Sequence, residues 1–366
     1  MSQRIAIVLW GGGVGGAETL MGDVAISMRQ RSIDATVLCI GDSMPLADRL
    51  RSADTPCLSL GHRRGSTVAL HPRRLASTIR DLGCNGAIVN AAGYLPRLIQ
   101  LGGYRSPMLA VEHGDALNLH TAPYRRRLRV RAERWLCANG TYTDIAVSDT
   151  LLNASTRATG RTNARRIYNG VNLQRFRPAV QSSGQSDSAV RIGLASRLAP
   201  GKGVEILLSA CAALGLASSW SLHIAGDGPE RAKLRAYAHH DPTLRERVTF
   251  VGTVTDMPKF WATCDIAVVA SSRWLESFSM AAVEAMACGL PVIASAAGAL
   301  PEICGDQCGT LVPAGDVAAL TTALTSYIAD PARRLVDGVA GRARAERHFD
   351  IEHMVDQYLD ALHDPH

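Results

Sequence analysis

Short apolar runs rich in β-branched residues alternate along the chain with longer segments whose apolar positions recur every three or four residues. RIAIVLW (4–10), ATVLCIG (35–41), GAIVN (86–90), PMLAVE (107–112) and DIAVS (144–148) predict buried strands in the first half. VRIGLAS (190–196), SLHIAG (221–226), VTFVG (248–252), DIAVVAS (265–271) and PVIAS (291–295) predict a second series. The segments between, such as AETLMGDVAISMRQR and VEILLSACAALG, have the length and periodicity of amphipathic helices. Strand–helix alternation builds right-handed crossovers and a parallel sheet. Two such series predict an α/β protein of two Rossmann-like, doubly wound domains. The stretch AVQSSGQSDSA (179–189) follows Pro178, has little to bury and reads as a linker or surface loop. The expected domains are therefore 1–178 and 190–345. Residues 346–366, with IEHMVDQYLDAL at 351–362, are expected to form a terminal helix that packs back on the first domain.

Composition narrows the class. The 366 residues, 47% of them AVILMFWYC, fit two domains at about 150 residues each and exclude a disordered chain. No apolar run approaches the ~18–20 residues that cross a bilayer. Met1–Arg4 leads directly into a strand-like segment too short for a signal-peptide core, so a soluble, cytoplasmic protein is expected. The nine cysteines include no C-x-x-C, and Cys304 and Cys308 lack the second half of a zinc site. They read as reduced thiols packed as small hydrophobes.

The net charge of +6 conceals an asymmetry. Residues 1–178 carry 24 Arg, no Lys and 12 Asp or Glu, a balance of +12; residues 179–366 carry 15 Lys or Arg against 21 Asp or Glu, a balance of −6. A basic half suggests an anionic partner. YRRRLRVRAERW (124–135) concentrates the cations at Arg125–Arg134. It reads either as a basic amphipathic helix at an anionic membrane surface, which would make the protein peripheral at the inner face, or as a solvated helix. No aromatic-interleaved basic groove or zinc-finger spacing points to nucleic acid.

Gly11 to Gly16 follow the first predicted strand, and Gly11, Gly13 and Gly16 satisfy G-x-G-x-x-G, with Asp42 ending the second strand. Glycines between strand and helix let a bulky anion approach the helix N-terminus closely. This pattern supports an NAD-dependent dehydrogenase, or only a tight turn.

The second half carries the sharper chemistry. ASRLAPGKG places Arg197 and Lys202 in a glycine-containing loop at a strand's carboxyl end, where open α/β sheets bind ligands. Two fixed cations there suit a diphosphate. IAGDGP, with Gly226, borders a nucleotide pocket or is simply a turn. In ESFSMAAVEAMACGLP, Glu276 and Glu284 stand eight residues apart, and Ser277 or Ser279 caps the helix between them. A carboxylate can accept from two adjacent hydroxyls, so Glu284 suits a ribose and Glu276 a sugar. The exposed N–H groups of Phe278, Ser279 and Met280 would face phosphate oxygens. GALPEI (298–303) and GTLVP (309–313) predict a turn and a short strand at the rim.

The E-x7-E pattern followed by A-x-G-x-P-V-I-A-S resembles the family 4 retaining glycosyltransferases of the GT-B fold. The resemblance extends through GGVGGAE, EHG (112–114), AVS (146–148), YNGVN (168–172), ASRLAPGKG, AGDGPE, VTFVGTV and PEI. It implies two Rossmann-like domains facing a central cleft. Arg197 and Lys202 would hold the diphosphate of a UDP-, GDP- or other nucleotide-sugar donor, Glu284 its ribose and Glu276 the transferred sugar. Gly15 and Gly16 would contact donor phosphate or acceptor, His113 the donor sugar, and Asn169 would line the cleft. The acceptor would be a glycan, a lipid-linked sugar or a small molecule. Thr19-Leu20 stands where many relatives have an arginine, and no D-x-D occurs, which fits a metal-independent site with no cofactor. The implied reaction retains anomeric configuration, with the departing phosphate oxygen taking the acceptor's proton. A non-catalytic nucleotide-sugar-binding protein remains the other alternative.

Overall fold

The computed structural model describes residues 3–10, 15–41, 46–62, 72–90, 94–114, 140–160, 163–179, 189–216, 218–272 and 276–364. Gly11, Gly13, Asp42, the Arg125–Arg134 segment and most of the 179–189 stretch lie outside them. The chain divides into two units, Met1–Gly170 with Ile351–His366, and Val171–Asp350.

The first unit is a seven-stranded parallel sheet: β1 (Arg4–Leu9), β2 (Asp34–Gly41), β3 (Cys57–His62), β4 (Gly86–Asn90), β5 (Met108–Glu112), β6 (Thr143–Ala146) and β7 (Ala164–Arg166). Their spatial order is β3-β2-β1-β4-β5-β6-β7. β4 is buried along its whole length and β1 after its first residue, because helices cover both faces; this is why these strands read as unbroken apolar runs. The chain leaves β1 towards β2 on one side and reaches β4 on the other, so the topological switch point lies between β1 and β4.

The helix Gly16–Gln30 buries Leu20, Met21, Val24, Ala25 and Met28, a single face at three- and four-residue spacing. Against it packs the terminal helix Ile351–His363, with Ser27 donating to a Glu352 carboxylate oxygen at 2.7 Å and Arg31 paired with Asp356. Gly86 makes room for this helix: a Cβ there would lie 2.8 Å from Ile5 and 3.4 Å from Leu362.

The second unit repeats the plan with β8 (Val190–Ala195), β9 (Trp220–Ala225), β10 (Val248–Gly252), β11 (Ile266–Val269), β12 (Val292–Ser295) and β13 (Gly309–Val312) in the order β10-β9-β8-β11-β12-β13, all parallel. Its switch point lies between β8 and β11. Ile192, Leu194, Leu222, Ile224, Ile266 and Val268 form the sheet's share of one core with the helices Val204–Ala213 and Val317–Ala329.

Two differences from the sequence reading have local causes. β3 and β7 were not expected. β3 is an edge strand with exposed Leu58, and β7 is a three-residue edge strand of Ala164, Arg165 and Arg166, so neither carries a buried apolar run. The units divide at 170/171 and 350/351 rather than at 178 and 345. Val171 donates its N–H to Phe349 O at 2.8 Å and bridges Asp350, which ties 171–178 to the second unit, and the helix Pro331–His348 runs on through 345.

Candidate functional site

The loops that leave the carboxyl ends of β8, β9 and β11 are tied to one another by backbone. Leu198 N–H donates to Asp227 O at 2.9 Å, Glu230 N–H to Leu198 O at 3.0 Å, and Ser272 N–H to Gly201 O at 2.9 Å. The approach is too close for side chains. At Gly203, with φ of 72°, a Cβ would sit 1.7 Å from Ala270 O; at Gly226, with φ of 123°, it would sit 1.9 Å from Ser196 O. Gly226 thus joins the β9 loop to the β8 loop.

Lys202 and Glu276 meet across this junction, one from each side of the switch point. Lys202 Nζ donates to Glu276 Oε1 at 2.6 Å, and Ser271 Oγ donates to the same oxygen at 2.5 Å. Only 13% of the Glu276 side chain is exposed, so this pairing offsets the cost of desolvating it. Glu276 Oε2 has no partner among the described residues, and two of the three ammonium protons of Lys202 remain for other acceptors. Arg197 is exposed on the same loop and makes no ion pair among the described residues.

The helix Met280–Ala287 begins at the cap expected of Ser279, whose side chain accepts from Ala282 N–H; Ser277 is not the cap. Ser279 and Met280 N–H have no acceptor among the described residues, as orphan donors of a helix start. The Phe278 ring is buried edge-on against Phe349, 5.8 Å between centroids, which fixes the chain's entry to the helix.

Glu284 lies one turn into that helix. Trp261 Nε1–H donates to its Oε2 at 3.1 Å, while Oε1 has no partner among the described residues. Burial pushes the carboxyl up to about 7, opposed by the indole hydrogen bond and by the charge of Arg175. The two glutamates therefore share a pattern: one oxygen is anchored by protein, the other is available. Two arginines of the helix Pro331–His348 brace the region. Arg342 donates to Ala287 O at 2.6 Å and to Phe176 O at 2.7 Å, and Arg344 donates to Ile303 O and Glu302 O at 2.7 Å each. They cap the C-terminal ends of Met280–Ala287 and Leu300–Cys304.

The first unit presents different groups at its own carboxyl edge. Gly15 is the N-cap position of Gly16–Gln30, without a side-chain cap, and Gly16 opens the helix. His113 follows β5, and burial pushes its imidazole down to about 4, so it is neutral at pH 7. Asn90 ends β4 opposite Leu9 of β1, and Asn169 follows β7; both are buried, and neither Oδ1 has a partner among the described residues.

Sequence reasoning placed Lys202, Glu276, Arg197 and Glu284 in the second unit's site but missed Trp261, Ser271, Arg175 and Arg342. Only Ser271, at the end of a predicted strand, carried any positional signal. Eight described cysteines are free thiols, seven of them buried. Among the described residues no cluster of His, Cys, Asp or Glu could hold a metal ion, and no helix is long and apolar enough to cross a membrane.

Comparison with known proteins gives this geometry its context. Residues 14–175 match the family described as Glycosyltransferase Family 4, and residues 189–330 that described as Glycosyl transferases group 1. The chain is 32% identical over 212 residues to the GDP-mannose-dependent monoacylated alpha-(1-6)-phosphatidylinositol monomannoside mannosyltransferase of Corynebacterium glutamicum, covering 54% of this chain and 55% of that protein. It is 29% identical over 200 residues to the lipopolysaccharide core biosynthesis mannosyltransferase LpsB of Rhizobium meliloti, covering 51% and 56%. The chain spans about half the length of these curated relatives. In fold it is similar to HepE of Anabaena, solved in complex with UDP and glucose, with a TM-score of 0.82 at 24% identity over 99% of this chain and 100% of that one.

Proposed function

Since the chain belongs to the family 4 glycosyltransferases and has their GT-B fold, we propose that it transfers a glycosyl group from a nucleotide diphosphate sugar to an acceptor hydroxyl, with retention and without a metal ion. One observation carries this reading: Lys202 and Glu276 meet across the β8/β11 switch point of the second unit, each with hydrogen-bonding capacity left over.

Each free group has a task. Lys202 and Arg197 hold the diphosphate, the first as a point charge and the second as a planar fork. The N–H groups of Ser279 and Met280 add donors, Glu276 Oε2 accepts from a hydroxyl of the transferred sugar, and Glu284 Oε1 accepts from the ribose. As the bond from the anomeric carbon to the phosphate oxygen breaks, negative charge grows on the departing diphosphate. Cations and N–H groups already in place stabilise that charge without reorganising. The acceptor oxygen bonds to the same face of the sugar, and its proton passes to the departing phosphate oxygen. Within the first unit, Gly15, Gly16, His113 and Asn169 are the groups that its carboxyl edge offers to a substrate hydroxyl or phosphate. A neutral His113 serves a sugar hydroxyl as a hydrogen-bonding group rather than as a charge.

GDP-mannose, the donor in the name of the Corynebacterium relative, is the first donor to test, and UDP-glucose the second in view of the UDP and glucose held by HepE. The lipid-linked acceptors in the relatives' names and the arginine-rich 125–134 segment together favour a lipid-linked or anionic acceptor at a membrane surface. Thermal unfolding is measured with GDP, UDP, ADP, NAD and NADP, followed by mass spectrometry of reactions with mixed donors. A ligand at about 100 times its Kd adds about 2.7 kcal/mol of stability. Stabilisation by a nucleoside diphosphate, with transfer or donor hydrolysis, is expected. Stabilisation by NAD alone would overturn the proposal.

A further inference from the structure

Glu284 can hold a ribose only if its carboxylate is kept in one orientation, and the helix that carries it does not do this. Met280–Ala287 surrounds it with Ala281, Ala282, Ala285 and Ala287, none of which offers a side-chain donor that could fix the carboxyl. The orientation comes from outside the helix. Trp261 is fully buried at the end of the helix Met257–Ala262, which Asp256 caps by accepting from Lys259 N–H. Its indole packs on the bare backbone of β8: a Cβ at Gly193 would come within 3.2 Å of the indole ring and 2.5 Å of Cys264 Sγ. Phe260 meets it edge-on at 5.0 Å. An indole so confined offers its N–H in one direction, and that direction is Glu284 Oε2, 3.1 Å away.

Resting on the ribose-binding reading of Glu284, we propose that Trp261 is the positioning residue of this site: its indole N–H fixes one carboxylate oxygen of Glu284 and thereby aims the other at the ribose hydroxyls of the donor. Trp261 touches no ligand. Gly193, in the sheet, is in turn what lets the indole lie where it does. A tryptophan fits this task because it donates and never accepts, so the carboxylate cannot be bound in the opposite sense.

The same contact controls ionisation. The groups that face Glu284 are the Trp261 indole from Met257–Ala262, the Arg175 guanidinium from 171–178 and the Cys288 thiol at the end of its own helix, with Arg342 and Cys264 beyond the thiol. Indole and guanidinium favour the carboxylate, whereas burial opposes it. Removing the N–H therefore leaves Glu284 protonated to higher pH, and a protonated carboxyl accepts a hydroxyl pair poorly.

The test is calorimetric binding of GDP or UDP, whichever the wild-type chain binds, and of its 2′,3′-dideoxy analogue, to wild type and Trp261→Phe from pH 6 to 9. In the variant the natural nucleotide should bind roughly ten-fold more weakly at pH 7.5. Its acid limb should move to higher pH, and the loss should shrink at pH 9. The dideoxy analogue should bind both proteins equally, which a general loosening of the fold would not produce. Equal affinities and equal pH limbs for the natural nucleotide would overturn the proposal and leave the ribose role of Glu284 standing. Binding of neither GDP nor UDP by wild type would overturn both. Should Trp261→Phe not fold, the five indole N–H resonances of the wild-type chain decide. One of them is expected to titrate near pH 7 and to stop doing so in Glu284→Gln; no titrating indole overturns the proposal.

Discussion

The carboxyl edges of the two sheets share a topology and differ in the polar groups they bury. In Val171–Asp350 the buried edge groups are carboxyls that already have a partner: Glu276 with Lys202 and Ser271, Glu284 with Trp261. In the first unit the buried edge groups are an uncharged His113 and the amides Asn90 and Asn169, whose Oδ1 atoms have no partner among the described residues, while β5 and β7 end in charged residues, Glu112 and Arg166, the latter paired with Asp149. The formal charges of the two halves, +12 against −6, run the other way from what a diphosphate site would suggest. An acidic half can bind an anion because local placement outweighs net charge over a few ångströms, whereas charges more than about 8–10 Å away are screened at physiological salt.

The sharpest way to break this contrast is Lys202→Ala. Turnover should fall at least ten-fold, and by about 10²–10³ if the ammonium acts as a preorganised oxyanion donor, with the circular dichroism close to wild type and the melting temperature lowered because Glu276 loses its counter-ion. Near-normal turnover would remove the paired edge from the chemistry. Next is Arg342→Ala, which uncaps the end of Met280–Ala287. It should cost about 1–3 kcal/mol in urea unfolding of the second unit. Equal stability would show that the brace is ornamental. Smaller again is Ser271→Ala, which leaves Glu276 its lysine and should raise the donor KM only a few-fold.

The smallest effects separate the two edges by sign. Glu284 has a folded-state pKa raised to about 7, so its contribution to stability is fully present below the ordinary carboxylate range and is lost as pH rises through 7. His113 has one lowered to about 4, so its contribution is present above pH 6.5 and is lost as pH falls towards 4. Urea midpoints from pH 4.5 to 7.5 should therefore show Glu284→Gln gaining on wild type as pH rises and His113→Gln gaining as pH falls. Parallel curves would mean that the edges do not differ in this respect.

Much of the fold was legible because parallel sheets bury their central strands on both faces, and β1, β4 and β11 then read as apolar runs. Edge strands escape that logic, as β3 and β7 did. Glycine-rich loops and the eight-residue glutamate spacing likewise pointed to the carboxyl edge of the second sheet. Spacing along a chain cannot show which oxygen of a carboxylate is committed. The lysine that pairs with Glu276 is 74 residues away and the indole that holds Glu284 is 23. Trp261 looked like any core aromatic until its N–H had a direction.

The backbone crossing at Gly203 has a practical consequence for anyone who would re-engineer donor choice. With the loop bearing Lys202 threaded against the carbonyl of Ala270, the two segments behave as one cassette. Transplanting either from a homologue without its mate would bring a mismatched seam into the chimera, so the natural unit of exchange is the pair.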